Sequence, residues 1–157
     1  MCKSGLLEFL SAEGNDQNGR HMANFVAAND DELENTHDLF QWVFPLQEPS
    51  KATPNSPILS KEDLEIIRGN REINREVTIY LNHACNRYLR FLEARRSWLT
   101  HHDHNHLRIT RIIKSLRLIL GDRWAERFKM QVLEIAIKGD KLLRIWTFVK
   151  VIIVMKF

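Results

Sequence analysis

Glu34 and His37 stand three residues apart in LENTHDLFQW, residues 33–42. On one helix this spacing puts a carboxylate and an imidazole on the same face. Such a pair either ligates metal in a di-iron bundle or fixes a histidine tautomer for a structural bond. The di-iron arrangement needs a second Glu-x-x-His and two further carboxylates, and the sequence holds no second Glu-x-x-His. The pair therefore reads as a clasp beside Phe40, Trp42 and Phe44. In it Glu34 orients the imidazole, and His37 or Gln41 hydrogen-bonds a carbonyl of the loop after Pro45.

HHDHNH, residues 101–106, offers four imidazoles and a carboxylate, ligand types suited to zinc or nickel. If the segment is helical, His102 and His106 share a face. Asp103 and Asn105 are also ordinary N-cap residues, so the segment equally reads as the start of a helix. No general base or supporting shell is legible around it. No metal, cofactor or catalytic residue is assigned, and no Gly-x-Ser-x-Gly or phosphate loop appears.

Arg108, Arg111, Lys114 and Arg117 recur every third residue, after Arg87, Arg90, Arg95 and Arg96. A basic helical face can neutralise phosphates, with Tyr88 or Trp98 to stack on bases. A spacing of three drifts around a helix, and no DNA-binding signature accompanies it. The charge is divided along the chain. Residues 1–86 hold 7 Lys/Arg against 14 Asp/Glu, and residues 87–157 hold 16 against 6. Either the halves neutralise each other or the basic half meets nucleic acid or another acidic partner.

The elements that must position these groups read as helices. Short ones are expected at Leu6–Leu10 and Arg20–Ala28, around the turn-rich EGNDQNG. A third starts at the cap oxygens of Asn29-Asp30-Asp31 and runs through Phe44 to a stop at Pro45. QEPSKATPNSP, 47–57, is a loop. Ser60 and Asp63 form a capping box, and Leu59 can staple on Leu64. A short helix then ends near Gly69. The longest helix follows over about residues 72–98, carrying Cys85 as a buried thiol. Two more run from Asn105 to Gly121 and from Asp122 to Gly139. Trp42, Trp98 and Trp124 are expected in the core. The class is all-α, a single irregular helical bundle of about six to seven helices over residues 1–140.

Residues 141–157, KLLRIWTFVKVIIVMKF, are an apolar and basic tail. With charges throughout it is poor for spanning a bilayer, so no transmembrane span is expected. It can pack as a last helix, pair as an edge strand, or lie on a membrane surface as a peripheral contact. Two cysteines in 157 residues and no secretory leader point to the cytoplasm.

LENTHDLFQWVFPLQEPS, NSPILS and NHLRITRIIKSLRLILG together resemble the conserved region of the opioid growth factor receptor family, over roughly Leu6 to Ile137. The resemblance implies a compact helical domain. For the animal members it also implies binding of an enkephalin-type peptide and association with nuclear and other membranes. The chain ends soon after the shared segments and looks like a short, domain-only form seen in microbes. The family supplies no catalytic residues to carry over. The expected function is a non-enzymatic module that binds a peptide or protein in a groove between the 31–44 and 105–120 helices. Its candidate contacts are Glu34, His37, Gln41, Trp42, His104, Asn105, Arg108 and Arg111. The alternative is nucleic-acid binding through the basic half.

Overall fold

The computed structural model describes residues 3–51, 53–100 and 102–139. Cys2, His101 and the 141–157 tail lie outside the described residues. Contacts divide the chain into two units, Met1–Arg87 and Tyr88–Phe157. The described residues form eight helices. Their one β feature is an isolated parallel bridge between Leu46 and Ile58. The chain is all-α, as its periodicity predicts. No helix of the described residues is long and apolar enough to cross a membrane.

The first unit holds α1 (Gly5–Leu10), α2 (Met22–Ala27), α3 (Asp30–Asn35), α4 (Asp38–Val43), α5 (Lys61–Gly69) and the start of α6 (Arg71–Ala94). Four of these are only six residues long, too short to persist alone, so tertiary packing and caps must hold them. The packing is aromatic. Buried Phe25 lies edge-on to Phe40 and Phe44, with ring centroids 5.0 and 5.9 Å apart. The caps are reciprocal. Ser60 and Asp63 form the predicted capping box, and Asn29 forms another with Glu32. Asp63 is buried and also accepts a 2.7 Å bond from Ser4 Oγ, which joins the start of α5 to the start of α1.

The predicted 31–44 helix is two helices. Thr36 adopts an extended conformation (φ −95°, ψ 102°) between α3 and α4. Thr36 Oγ1 donates to the Glu32 carbonyl at 2.6 Å and Asn35 Nδ2 to the Asp31 carbonyl at 2.8 Å. These side chains compete with the helical ladder where three acids and a cap have already begun it, and α3 closes after six residues. Glu34 thus belongs to α3 while His37 is the N-cap residue of α4, so they do not share a helical face.

After α1 the chain reverses at Ala12, the one non-glycine residue of positive φ (60°) among those described. A left-handed alanine is held against a steric penalty. Ala12→Gly should therefore raise stability, by about 0.5–1 kcal/mol once the extra freedom of unfolded glycine is subtracted. A denaturant midpoint at or below the parent's would show that the turn carries no strain.

The second unit holds the rest of α6, α7 (His104–Ile119) and α8 (Asp122–Gly139). α7 packs on α8, burying Ile109, Ile112, Ile113 and Leu116 from one and Ala125, Phe128, Val132 and Ala136 from the other. The predicted turn at Gly121 is present. Its φ of +99° suits glycine, and its N–H closes α7 by donating to the Leu116 carbonyl at 3.1 Å.

α6 ends at Ala94, four residues before the predicted boundary. Trp98 lies beyond the helix, fully buried, and donates its indole N–H back to the Leu92 carbonyl at 2.8 Å. This satisfies one of the carbonyls that a helix end leaves open. Trp42 and Trp124 are half-buried rather than core residues.

Candidate functional site

α4 presents Asp38, Gln41 and Trp42 on the partly exposed side of the first unit. Phe9 of α1 meets the Trp42 ring edge-on, with centroids 5.4 Å apart, and Phe9 is itself fully buried. The indole is therefore a large aromatic surface backed by rigid core. Beside it, Gln41 Oε1 is buried and meets no hydrogen-bond partner among the described residues. The loop after Pro45 is tied by backbone, with Leu59 N–H donating to the Leu46 carbonyl at 2.8 Å.

The base of α4 is fixed by charge. Arg20 donates to both oxygens of Asp38 at 3.1 and 2.7 Å, a bidentate pair. The same guanidinium donates through Nε to Asp16 at 2.8 Å, and Asp16 also accepts the backbone N–H groups of Asn18 and Arg20. The Asp16 side chain is fully buried. The 13–20 turn is thereby clasped to the first residue of α4.

The hydrogen bond from Arg20 holds the Asp38 carboxyl below the usual carboxylate range, against an opposing effect of burial. A group depressed in the folded state stabilises fully above its unfolded value and loses that effect as pH falls through its folded one. Asp38→Asn should therefore melt lower than the parent at neutral pH, and the two curves should converge in acid. With Asp38 38% exposed, solvent screens the pair and the neutral-pH gap should be under about 1 kcal/mol. A gap that is constant with pH would assign it to packing.

The second unit holds a buried polar cluster. Tyr88 is fully buried and its hydroxyl donates to Asn105 Oδ1 at 2.7 Å. Arg108 Nη1 donates to the same oxygen at 3.3 Å. Asn105 and Arg108 are 1% and 7% exposed. Next to them, His106 Nε2 lies 2.6 Å from the Trp98 carbonyl, so this nitrogen carries the proton and donates. Asp103 is the N-cap residue of α7, its side chain accepting from Asn105 N–H. Residues 102–106 thus lead into and begin α7, with Asn105 and His106 turned to structural bonds. Among the described residues no three His, Cys, Asp or Glu side chains converge on a metal position.

Three curated proteins, each named Opioid growth factor receptor, are similar to this chain. Those of Rattus norvegicus and Mus musculus are each 33% identical over 102 residues, 56% of this chain. That of Homo sapiens is 31% identical over 115 residues, 64% of this chain. The chain carries an opioid growth factor receptor-like domain. It spans only 16–17% of the length of these curated relatives. No family model and no solved structure matches it.

Within this opioid growth factor receptor-like domain the candidate residues fall into two groups. Glu34, His37, Gln41 and Trp42 lie on α3 and α4, with His37 exposed and Glu34 half-buried. His104, Asn105, Arg108 and Arg111 lie on α7. Of these only His104 is exposed, while Arg111 is half-buried. The clasp residues Asp16 and Arg20 were not read from the sequence. Their signal is an acid and a base four residues apart across a turn, which is common and weak. Tyr88 reads as one position of a long apolar stripe and as a ring that could stack on bases, not as a buried hydroxyl donor.

The basic series also separates. Arg108 is buried, Arg117 pairs with Asp122 and Glu126 at 2.9 and 3.0 Å, and Arg87 bonds Asp30 and the Ala28 carbonyl. Arg90, Arg96, Arg123 and Arg127 are the exposed arginines of the second unit's described residues.

Proposed function

We propose that this domain is a non-enzymatic binding module that takes a peptide or a segment of another protein on the α4 face. The observation that carries this reading is the half-exposed Trp42 ring backed by buried Phe9. A rigid aromatic held at the surface provides large contact area with little ordering cost, which is why tryptophan is enriched among residues that dominate interfaces. The similarity to proteins named as receptors agrees with such a role. The place of action is the cytoplasm, in keeping with a chain of two cysteines.

The test is capture of partners from the native lysate with and without nuclease, followed by direct titration of the recovered protein or peptide. Trp42→Ala should weaken that binding by at least about thirtyfold, the effect of truncating a dominant contact, while the variant stays folded by circular dichroism. Undiminished binding by a folded Trp42→Ala variant would remove the α4 face from the interaction. Material that disappears with nuclease, and whose retention falls steeply with salt, would move the function to nucleic acid and to the exposed arginines.

A further inference from the structure

We infer that Asn18 is a site of spontaneous conversion to aspartate and isoaspartate, and that this conversion opens the clasp between the 13–20 turn and α4. The chain has eleven asparagines, and Asn18 alone is followed by glycine. Asn18 and Gly19 are both exposed, and Gly19 sits at a φ of +77° with nothing near the position a Cβ would take. No side chain on residue 19 shields the backbone nitrogen that must attack. In the reaction the deprotonated Gly19 nitrogen bonds to the Asn18 side-chain carbonyl carbon, and the bond to the amide nitrogen breaks as ammonia leaves. Water then opens the resulting ring at either carbonyl. The net change is one water consumed, one ammonia released and a new carboxyl at position 18.

The new charge arrives at a place built for a donor. Asn18 Nδ2 now donates to Asp38 Oδ2 at 3.0 Å. After conversion a carboxylate faces that oxygen, and three carboxylates, at 16, 18 and 38, compete for the single Arg20 guanidinium. The isoaspartate form also adds a backbone carbon between residues 18 and 19. That shifts the Arg20 N–H which Asp16 accepts at 2.8 Å. Gly19 N–H itself donates to the Asp16 carbonyl at 3.0 Å, so conversion waits on local opening of this turn, and anything that loosens the clasp should hasten it.

The folded protein should be aged in mildly alkaline buffer and digested, with the amide-to-acid mass gain located by peptide mapping and isoaspartate scored enzymatically. The expected product is at position 18, ahead of the exposed Asn55 in the 47–57 loop, and Arg20→Gln should form it several-fold faster. The converted species, separated by charge, should melt roughly 2–4 °C lower than the parent. Asn18→Gln should keep the donor and yield no such species. Conversion at Asn55 before Asn18, an Arg20→Gln rate equal to the parent's, or converted protein that melts like the parent would each overturn the inference.

Discussion

Trp98→Ala is expected to remove about 3–5 kcal/mol of folding stability, as large aromatic deletions in cores do. For a domain held by roughly 5–15 kcal/mol, that brings the variant close to unfolding at ambient temperature. The magnitude follows from two roles meeting in one side chain. The ring is 0% exposed, so its removal leaves a cavity. The indole N–H satisfies the Leu92 carbonyl at the end of α6, and that acceptor is left open when the ring is removed. Trp98→Phe separates these roles, since it keeps most of the apolar volume and removes the donor. It should cost about 1–3 kcal/mol, the range for leaving one buried acceptor unmatched. Equilibrium denaturation read by circular dichroism gives both values. A Trp98→Phe variant as stable as the parent would show that the indole bond adds nothing to helix termination.

The early end of α6 shows what sequence reading can and cannot reach here. Tyr88, Phe91 and Leu92 repeat at helical spacing, and the next apolar residue of the stripe is Trp98 or Leu99. Periodicity therefore extends the helix, because it registers apolar residues and not the route by which they reach the core. Trp98 reaches it from a turn, through a bond to a carbonyl that belongs to the preceding helix. The α3/α4 break has the same origin. Leu33, Leu39, Phe40, Val43 and Phe44 are all buried, and their spacing tolerates a two-residue interruption at Thr36 and His37. Short-range polar chemistry is more legible. Ser60 with Asp63, Asn29 before three acids, Asp103 before α7 and Gly121 after it are each read correctly, since a cap and its partner lie within five residues. The buried state of Cys85 is legible from its stripe, and burial pushes its thiol pKa well up. Of the candidate site, Gln41 and Trp42 are legible as large polar and aromatic residues on one turn. Arg20 is not, because its pairing with Asp38 crosses eighteen residues of chain.

Asn105 is the sharpest case of a residue whose type suggests one role and whose burial gives another, and its replacement should be nearly as damaging as that of Trp98. In Asn105→Leu the side-chain volume is kept while the acceptor disappears from a site 1% exposed to solvent. The fully buried Tyr88 hydroxyl then loses the oxygen it donates to at 2.7 Å, and Arg108 loses one of its acceptors. A buried donor without its partner costs about 1–3 kcal/mol, and more where a charged group is involved, so a loss of about 2–4 kcal/mol is expected. Tyr88→Phe alone should be milder, near 1 kcal/mol, because Asn105 Oδ1 keeps the Arg108 contact. Combining the two tests the origin of the effect. With the hydroxyl removed, Asn105→Leu no longer strands it, so the double variant should be more stable than the sum of the singles predicts, by about 0.5–3 kcal/mol. Strict additivity in the denaturation midpoints would instead assign the loss to Arg108 and the packing around it. The Tyr88 hydroxyl would then be a bystander, and the cluster's work would be to hold a buried guanidinium.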